Sequence, residues 1–468
     1  MSGGFPLKKT LKDIATWLKI REQQFEDVVV TGISIDTRTI QPGDLFVPFR
    51  GEAVNGHKFV EQAFEKGAAA SLWLEDEPNP PTDKPLIFVQ DAEKAIQQMA
   101  IAYRSEHNAT FIGITGSNGK TSTKDIVAGA LAPYYKVQKT IGNFNNELGL
   151  PITILQLDED TEFSIVEMGM SGFGEIELLS RIARPHIAII TNIGEAHMQD
   201  LGSRAGIAQA KYEITKGLLD DGILFYDGDE PLLRELVAED RYTETKSFGF
   251  NDDNDLVAFN IETVDAGSKF SVKGLVDGEF YISVLGKHQV KNTLNAILVC
   301  KALNLTDEQI RIALANVQLT DMRMQLVDGK NNLLFINDAY NAAPTSVKAA
   351  IEFISSTTMR ADKWLVLGDM LELGENEQEF HEQLAESIDP SAISRVCLYG
   401  PRMKALYNKL QLKFDLAKLT YSESDYAPII ETIEENATAD TLILVKGSRG
   451  MKLETIINAL TNKAEVNK

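Results

Sequence analysis

The sequence predicts an α/β protein of several domains, and three observations carry that expectation. A short apolar run ending at Phe111-Ile112 reads as a buried strand, turns through glycines, and continues from Lys120 to Leu131 with apolar residues at helical spacing. Strand and helix patterns then alternate to about residue 317, as a parallel sheet requires, and the alternation restarts from about 318. At 468 residues the chain also exceeds what one hydrophobic core usually supports, so about two to four domains are expected.

Residues from about 7 to 106 open with a helical pattern (Leu11, Ile14, Ala15, Leu18) and then alternate as strands with turns. Within them Ser34, Asp36 and Thr37 stand beside Arg38. Short polar side chains next to a guanidinium fork suit a diphosphate or a sugar, and a strand-end salt bridge suits the same residues equally. Phe59 to Ala70 reads as a helix, and Pro78 to Pro85 as a surface loop.

The second region is organised around Gly113-Ile-Thr-Gly-Ser-Asn-Gly-Lys-Thr-Ser-Thr-Lys124. A strand, a glycine turn and a helix make a phosphate cradle, with backbone N–H groups and the helix N-terminus facing the anion. Lys120 would reach the outer phosphates of ATP, and the Thr121 hydroxyl would ligate Mg2+. The spacing departs from the usual P-loop, because the residue five before Gly119 is Ile114 and the glycines fall at Gly113 and Gly116.

Further candidate strands are Phe163-Glu167, Ile187-Asn192 and Gly222-Tyr226. Ligands of parallel sheets collect at the carboxyl ends of strands. Glu167 lies there, as do Thr191, Asn192, Glu195 and His197. A divalent cation is one use for Glu167 and His197, Mg2+ preferring the carboxylate; a helix-capping carboxylate and a surface imidazole are the plainer ones. Lys211 shares a helix face with Ile207 and Ile214 and so points inward. There it either loses its proton, changes chemically, or snorkels to solvent. Val257 to Val284 reads as an antiparallel meander, a long helix runs from about Lys287 to Leu303, and Thr306 offers the N-cap of the next.

From about 318 the candidate strands Leu333-Ile336, Trp364-Leu367, Val396-Leu398 and Thr441-Val445 make a second doubly wound unit without a glycine loop. Polar stretches at their ends, Asp338-Ala-Tyr-Asn341 and Gly368-Asp-Met-Leu-Glu-Leu-Gly374, suit a domain that closes over a neighbour's nucleotide.

Composition excludes several classes. The chain is 44% hydrophobic and 24% charged, ordinary for a soluble globular protein. No apolar run approaches the ~18 residues of a membrane span, and MSGGFPLKKT has no apolar segment behind its lysines, so a cytoplasmic protein without a membrane partner is expected. A net charge of −22 argues against nucleic acid. Cys300 and Cys397 sit far apart in apolar runs and read as buried thiols.

Together these stretches resemble the Mur ligase family, ATP-dependent amide-forming enzymes of peptidoglycan synthesis, over nearly the whole chain. TGSNGKTS is similar to the family's glycine loop, whose irregular spacing it shares. ISIDTR with LFVPFRG, EMGM, TNIGEAH, AYNAAP and GDMLELG are similar to the branch that adds D-alanyl-D-alanine, and the DNPR-type motif of the step-three ligases is absent.

The resemblance implies three domains: residues 1–106 holding the UDP end of the substrate, 107–317 forming a P-loop-type ATPase with a parallel sheet, and 318–468 forming a Rossmann-like domain that closes on ATP. It places Gly116, Ser117, Asn118, Gly119, Lys120, Thr121 and Ser122 on the ATP phosphates, Thr121 and Glu167 on one magnesium and His197 on the other. Lys211 matches the lysine that takes up CO2 as a carbamate. Asn292 would face the adenine, Arg323 and Asp338 the phosphate and ribose. Ser34, Thr37 and Arg38 would lie near the uridine diphosphate, and Asn143 to Glu147, including Asn146, in the substrate cleft. Gln289 and Asp227 stand where the family often has asparagine. The expected substrates are UDP-N-acetylmuramoyl-tripeptide and D-alanyl-D-alanine, with the chain acting as a monomer. A folylpolyglutamate synthase-like ligase would share the loop and the acyl phosphate but lacks a UDP-type N-terminal domain.

Overall fold

The computed structural model describes residues 7–21, 24–51, 54–195, 198–241, 243–264 and 266–461. They pack as two compact units, the first drawn from within Met1–Thr115, Tyr134–Ala188 and Glu213–Leu224, the second from within Gly116–Pro133, Ile189–Tyr212 and Phe225–Lys468.

In the first unit, the strands Gly32–Ser34, Asp44–Phe46, Ala70–Leu74 and Leu86–Val89 pair in parallel in that order. Ile40, Phe46, Val60, Ala63, Trp73 and Leu86 fill a small core beside them. The helix read over Phe59 to Ala70 is shorter than expected: a 3-10 turn at Gly56–Phe59 leads into Val60–Glu65, Gly67 adopts φ +103°, and Ala70 already belongs to the next strand. Helix Ala92–Glu106 starts at Asp91, whose side chain accepts from the N–H groups of Glu93 and Lys94. Near its other end the buried Arg104 donates to the carbonyls of Ala183 (2.7 Å) and Arg184 (3.0 Å), satisfying the C-terminal end of helix Glu175–Ala183. Strand Thr110–Thr115 pairs in parallel with Phe163–Glu167, with Ile114 opposite Glu167, and Val137–Lys139 pairs with the far edge of the latter.

In the second unit, helix Lys120–Leu131 packs on helix Lys287–Ala302, and most residues of both helices are buried. The expected meander is present as Leu256–Val264, Gly267–Gly274 and Gly278–Ile282. Thr306 closes a capping box with Gln309 at the start of helix Asp307–Leu314. Residues from 325 onward build a six-stranded sheet in the order Gln325–Asp328, Leu334–Asn337, Thr441–Lys446, Asp362–Gly368, Arg395–Tyr399, Leu419–Ser422. The first strand is an antiparallel edge and the other five are parallel. Side chains alternate between two cores, one with Ile336, Leu365 and Leu367, the other with Phe335, Trp364 and Val366, as helices on both faces require. Cys300 and Cys397 are free and buried, as expected. Among the described residues, no helix is long and apolar enough to cross a membrane.

Candidate nucleotide site

The glycine loop is shaped by close approach. Gly116 has φ +148°, and a Cβ there would lie 1.8 Å from Thr191 Oγ1; Gly119 has φ +79°, and a Cβ there would lie 2.7 Å from Asn292 Oδ1. Both positions therefore demand glycine. Residues 191 and 192 hold the turn from outside. Ser117 N donates to Asn192 O (3.0 Å) and Asn118 N to Asn192 Oδ1 (3.0 Å), while Thr191 Oγ1 (2.6 Å) and Asn192 Nδ2 (2.9 Å) donate to Asn118 O. The loop ends in helix Lys120–Leu131, which has no side-chain cap and no acidic residue in its first turn, so its N-terminal dipole is unopposed within the helix and suits an anion. Lys120 Nζ donates to Gly116 O at 2.8 Å. Ser117 Oγ and Asn118 Nδ2 are buried without a hydrogen-bond partner among the described residues. Leaving such groups unmet costs about 1–3 kcal/mol each, which phosphate oxygens at the loop would recover for the hydroxyl and the amide.

Lys211, in helix Arg204–Tyr212, is only 2% exposed, so the snorkelling alternative is closed. Burial, and secondarily the charge of Lys120, hold its amine well below the usual lysine range. Thr121 is buried, and Arg323 Nη2 donates to its hydroxyl at 3.2 Å, bringing a residue of the third expected region onto the loop. Arg323 also stacks 4.3 Å over Tyr340. Gln289 Nε2 reaches Ser122 Oγ at 3.3 Å, and Asn292 Nδ2 donates to Gln289 Oε1 at 3.0 Å. The glutamine, longer than the family's usual asparagine, thus links the loop helix to Asn292.

Glu167 ends its strand 3% exposed. Its N–H donates to Thr140 Oγ1 (3.0 Å), and its Oε1 accepts from Asn145 Nδ2 (2.9 Å). His197 lies outside the described residues, among which no group of three or more His, Cys, Asp or Glu assembles.

A cavity of about 480 Å³ opens beside the loop, lined by Asn118, Gly119, Asn192 and Asn292 and by residues that the sequence did not single out: Arg204, Asp229, Glu230, Lys291, Thr345 and Ser346 among them. Thr345 Oγ1 donates to Glu195 Oε2 (2.5 Å), and Arg204 pairs with Glu230 (2.6 Å). Lys291 Nζ sits between Asp227 (2.6 Å) and Asp229 (2.9 Å). Burial pushes the Asp227 carboxyl up to about 6 against the opposing pull of Lys291. A carboxyl raised in the folded state contributes stability at low pH that is lost as pH climbs through the folded value. Asp227→Asn should therefore gain thermal stability relative to the parent between about pH 4 and 6, a difference that calorimetry across that window measures and that a constant offset would refute.

Asp338 Oδ2 accepts from Lys446 Nζ (2.6 Å) and Oδ1 from Met324 N (3.2 Å), so the carboxylate ties strand ends together. Arg38, 86% exposed on its side chain, forms the plain salt bridge with Asp36 (Nη2 to Oδ2, 2.6 Å). Ser34 is buried and donates to Asp36 O (3.0 Å); the Thr37 carbonyl accepts from Lys66 Nζ (2.7 Å). Asn146 Oδ1 accepts from Gly149 N (2.8 Å), starting helix Gly149–Leu155, whereas Asn143 is exposed.

A strand, a glycine loop with orphaned donors and an uncapped helix behind Lys120 define a P-loop-type nucleotide-binding α/β protein. The match to family models narrows this: the Mur ligase family catalytic domain covers residues 29–104, the Mur ligase middle domain 114–300, and the Mur ligase glutamate ligase domain 322–449. The chain belongs to the Mur ligase family. It is 45% identical over 457 residues to the UDP-N-acetylmuramoyl-tripeptide–D-alanyl-D-alanine ligase of Bacillus subtilis, covering 97% of this chain and 98% of that one. Among solved structures it is similar to MurF from Acinetobacter baumannii (TM-score 0.86, 27% identity, 98% and 100% of the two chains). It is also similar to MurF ligase from Thermotoga maritima in complex with ADP (TM-score 0.81, 27% identity, 91% and 96%).

Proposed function

We propose that this chain is an ATP-dependent ligase that adds D-alanyl-D-alanine to UDP-N-acetylmuramoyl-tripeptide, releasing ADP and phosphate. The end-to-end similarity to the Bacillus subtilis ligase carries the reading, since it spans all three family regions. The proposed functional division is 1–106 for the UDP end, 107–317 for ATP and 318–468 for the Rossmann-like part.

Carboxylate and amine do not condense in neutral water, so the acid needs a leaving group. The terminal carboxylate of the tripeptide attacks the γ-phosphorus of ATP, the bond to the β-phosphate oxygen breaks, and ADP leaves with an acyl phosphate formed. The neutral amine of the dipeptide then attacks the acyl carbon, the C–O bond to phosphate breaks, and the amine's surplus proton passes to solvent or phosphate. Two anions must meet in the first step. Lys120 and the N–H groups of Gly116 to Ser122 neutralise and align them.

The donors offered to magnesium are oxygens, the Thr121 hydroxyl and the Glu167 carboxylate, which fits that ion. His197 is assigned to a second ion. When bound, magnesium supplies charge neutralisation on the phosphates. Lys211, whose amine burial holds well below the usual lysine range, is assigned to carbamate formation with CO2, which converts an unfavourable ammonium site into an oxygen donor. Asn292 is assigned to adenine and Arg323 to phosphate; Ser34, Thr37, Arg38, Asn143 and Asn146 are assigned to the UDP-muramyl substrate. The enzyme would work as a cytoplasmic monomer.

The test is phosphate release from ATP with UDP-N-acetylmuramoyl-tripeptides carrying lysine or diaminopimelate at the third position. Release should require both the muramyl peptide and D-alanyl-D-alanine. No ATP consumption with both present would end the proposal, and release driven by a folate and glutamate would replace it with the folylpolyglutamate reading.

A further inference from the structure

We propose that Asn145 is the positioning residue that holds the Glu167 carboxylate in the orientation its divalent cation needs; this rests on the assignment of Glu167 as a metal ligand. Asn145 Nδ2 donates to Glu167 Oε1 at 2.9 Å, and Glu167 is 3% exposed. A buried carboxylate must be oriented by fixed donors if it is to present one face to a cation. A neutral amide suits that task, because it fixes the carboxylate without cancelling the charge the cation requires, as a lysine or arginine would.

The donor is itself held from several sides. Asn145 N donates to Asn143 O (2.8 Å), and Gly169 N donates to Asn145 O (2.7 Å), so the main chain around the amide is pinned to the segment that follows Glu167. The carboxamide lies directly over Gly169, where an added Cβ would sit 2.9 Å from Asn145 Oδ1. Thr140 Oγ1 accepts from Glu167 N at 3.0 Å and fixes the backbone end of the same residue. The turn that supplies the amide also carries Asn143 and Asn146, so the metal ligand and the proposed muramyl-peptide turn share one hydrogen-bonded assembly.

The experiment titrates the full-length protein with Mn2+ in the presence of a non-hydrolysable ATP analogue, reading free Mn2+ by electron paramagnetic resonance, without turnover. Asn145→Leu, which keeps the volume and removes the donor, should weaken Mn2+ binding by about 10- to 100-fold, as loss of an outer-sphere partner does. Gly169→Ala, which displaces the carboxamide without deleting it, should weaken it in the same direction and serves if the leucine variant fails to fold. Glu167→Gln is the control. If Glu167→Gln weakens Mn2+ binding while folded Asn145→Leu and Gly169→Ala stay within about twofold of the parent, well below that range, Asn145 has no positioning role. If Glu167→Gln itself leaves binding unchanged, the metal assignment has failed and the role of Asn145 falls with it.

Discussion

Lys120→Ala should lower turnover by at least about a thousandfold, roughly 4 kcal/mol of transition-state stabilisation, while the protein still folds. The argument begins with charge. A tripeptide carboxylate must approach a triphosphate on a protein of net charge −22, so the long-range field opposes both substrates and only local cations can favour the encounter. Lys120 is the first residue of the loop helix, and its Nζ already lies against the loop at Gly116 O, 2.8 Å away. A short swing of that side chain would put the ammonium on phosphate oxygens without remodelling the loop. The fold should be spared for a separate reason: alanine is a better helix former than lysine, and Gly116, Gly119, Thr191 and Asn192 fix the turn without the lysine side chain. Phosphate release under saturating substrates, alongside a thermal melt, measures both halves. Near-parental turnover in a folded variant would remove the loop lysine from the chemistry.

That loop was legible in the sequence because its constraints are local. A buried strand, two glycines in conformations other residues avoid, and a strongly periodic helix lie within some twenty residues (P-loop context), and the helix has the bounds Lys120–Leu131 read from spacing alone. Strand Phe163–Glu167 was equally clear, since a run of buried β-branched and aromatic residues ends on a charge. Ala68 to Ala70 misled, because helix propensity is a weak prior and Ala70 is instead buried in a parallel sheet. The cavity wall was the least visible part. Lys291 and Asp227 are 64 residues apart and pair only once the chain has folded; Thr345 meets Glu195 across 150. One signal was available: Asp227-Gly228-Asp229 follows a strand, where parallel-sheet ligand sites collect. The partner of Asp338 was equally hidden: the buried Lys446 of the neighbouring strand donates to its carboxylate, a pairing no single stretch displays.

Lys211→Ala should be nearly inactive, and the loss should be partly reversed by small carboxylates such as acetate or formate. An ammonium with 2% exposure near a second lysine is unfavourable, and burial together with Lys120 drives the group toward the neutral amine. A neutral amine adds to CO2, the new N–C bond forming as one proton leaves, and the product carries a carboxylate on the same stem. The sign of the site is thereby inverted, from a charge that repels Lys120 and a divalent cation to one that attracts both. A small free carboxylate entering the space left by alanine would restore that charge without the covalent link. Stability separates this from a packing defect. A lysine whose folded-state value is depressed costs the native state at neutral and acid pH, so Lys211→Met, which fills the volume without an ionisable group, should melt no lower than the parent at pH 7 yet remain inactive. Rescue of Lys211→Ala, absent in Lys211→Met because the space is filled, identifies the carboxylate as the missing part. A folded alanine variant that no small carboxylate restores would leave Lys211 as a buried packing residue and strip the carbamate from the mechanism.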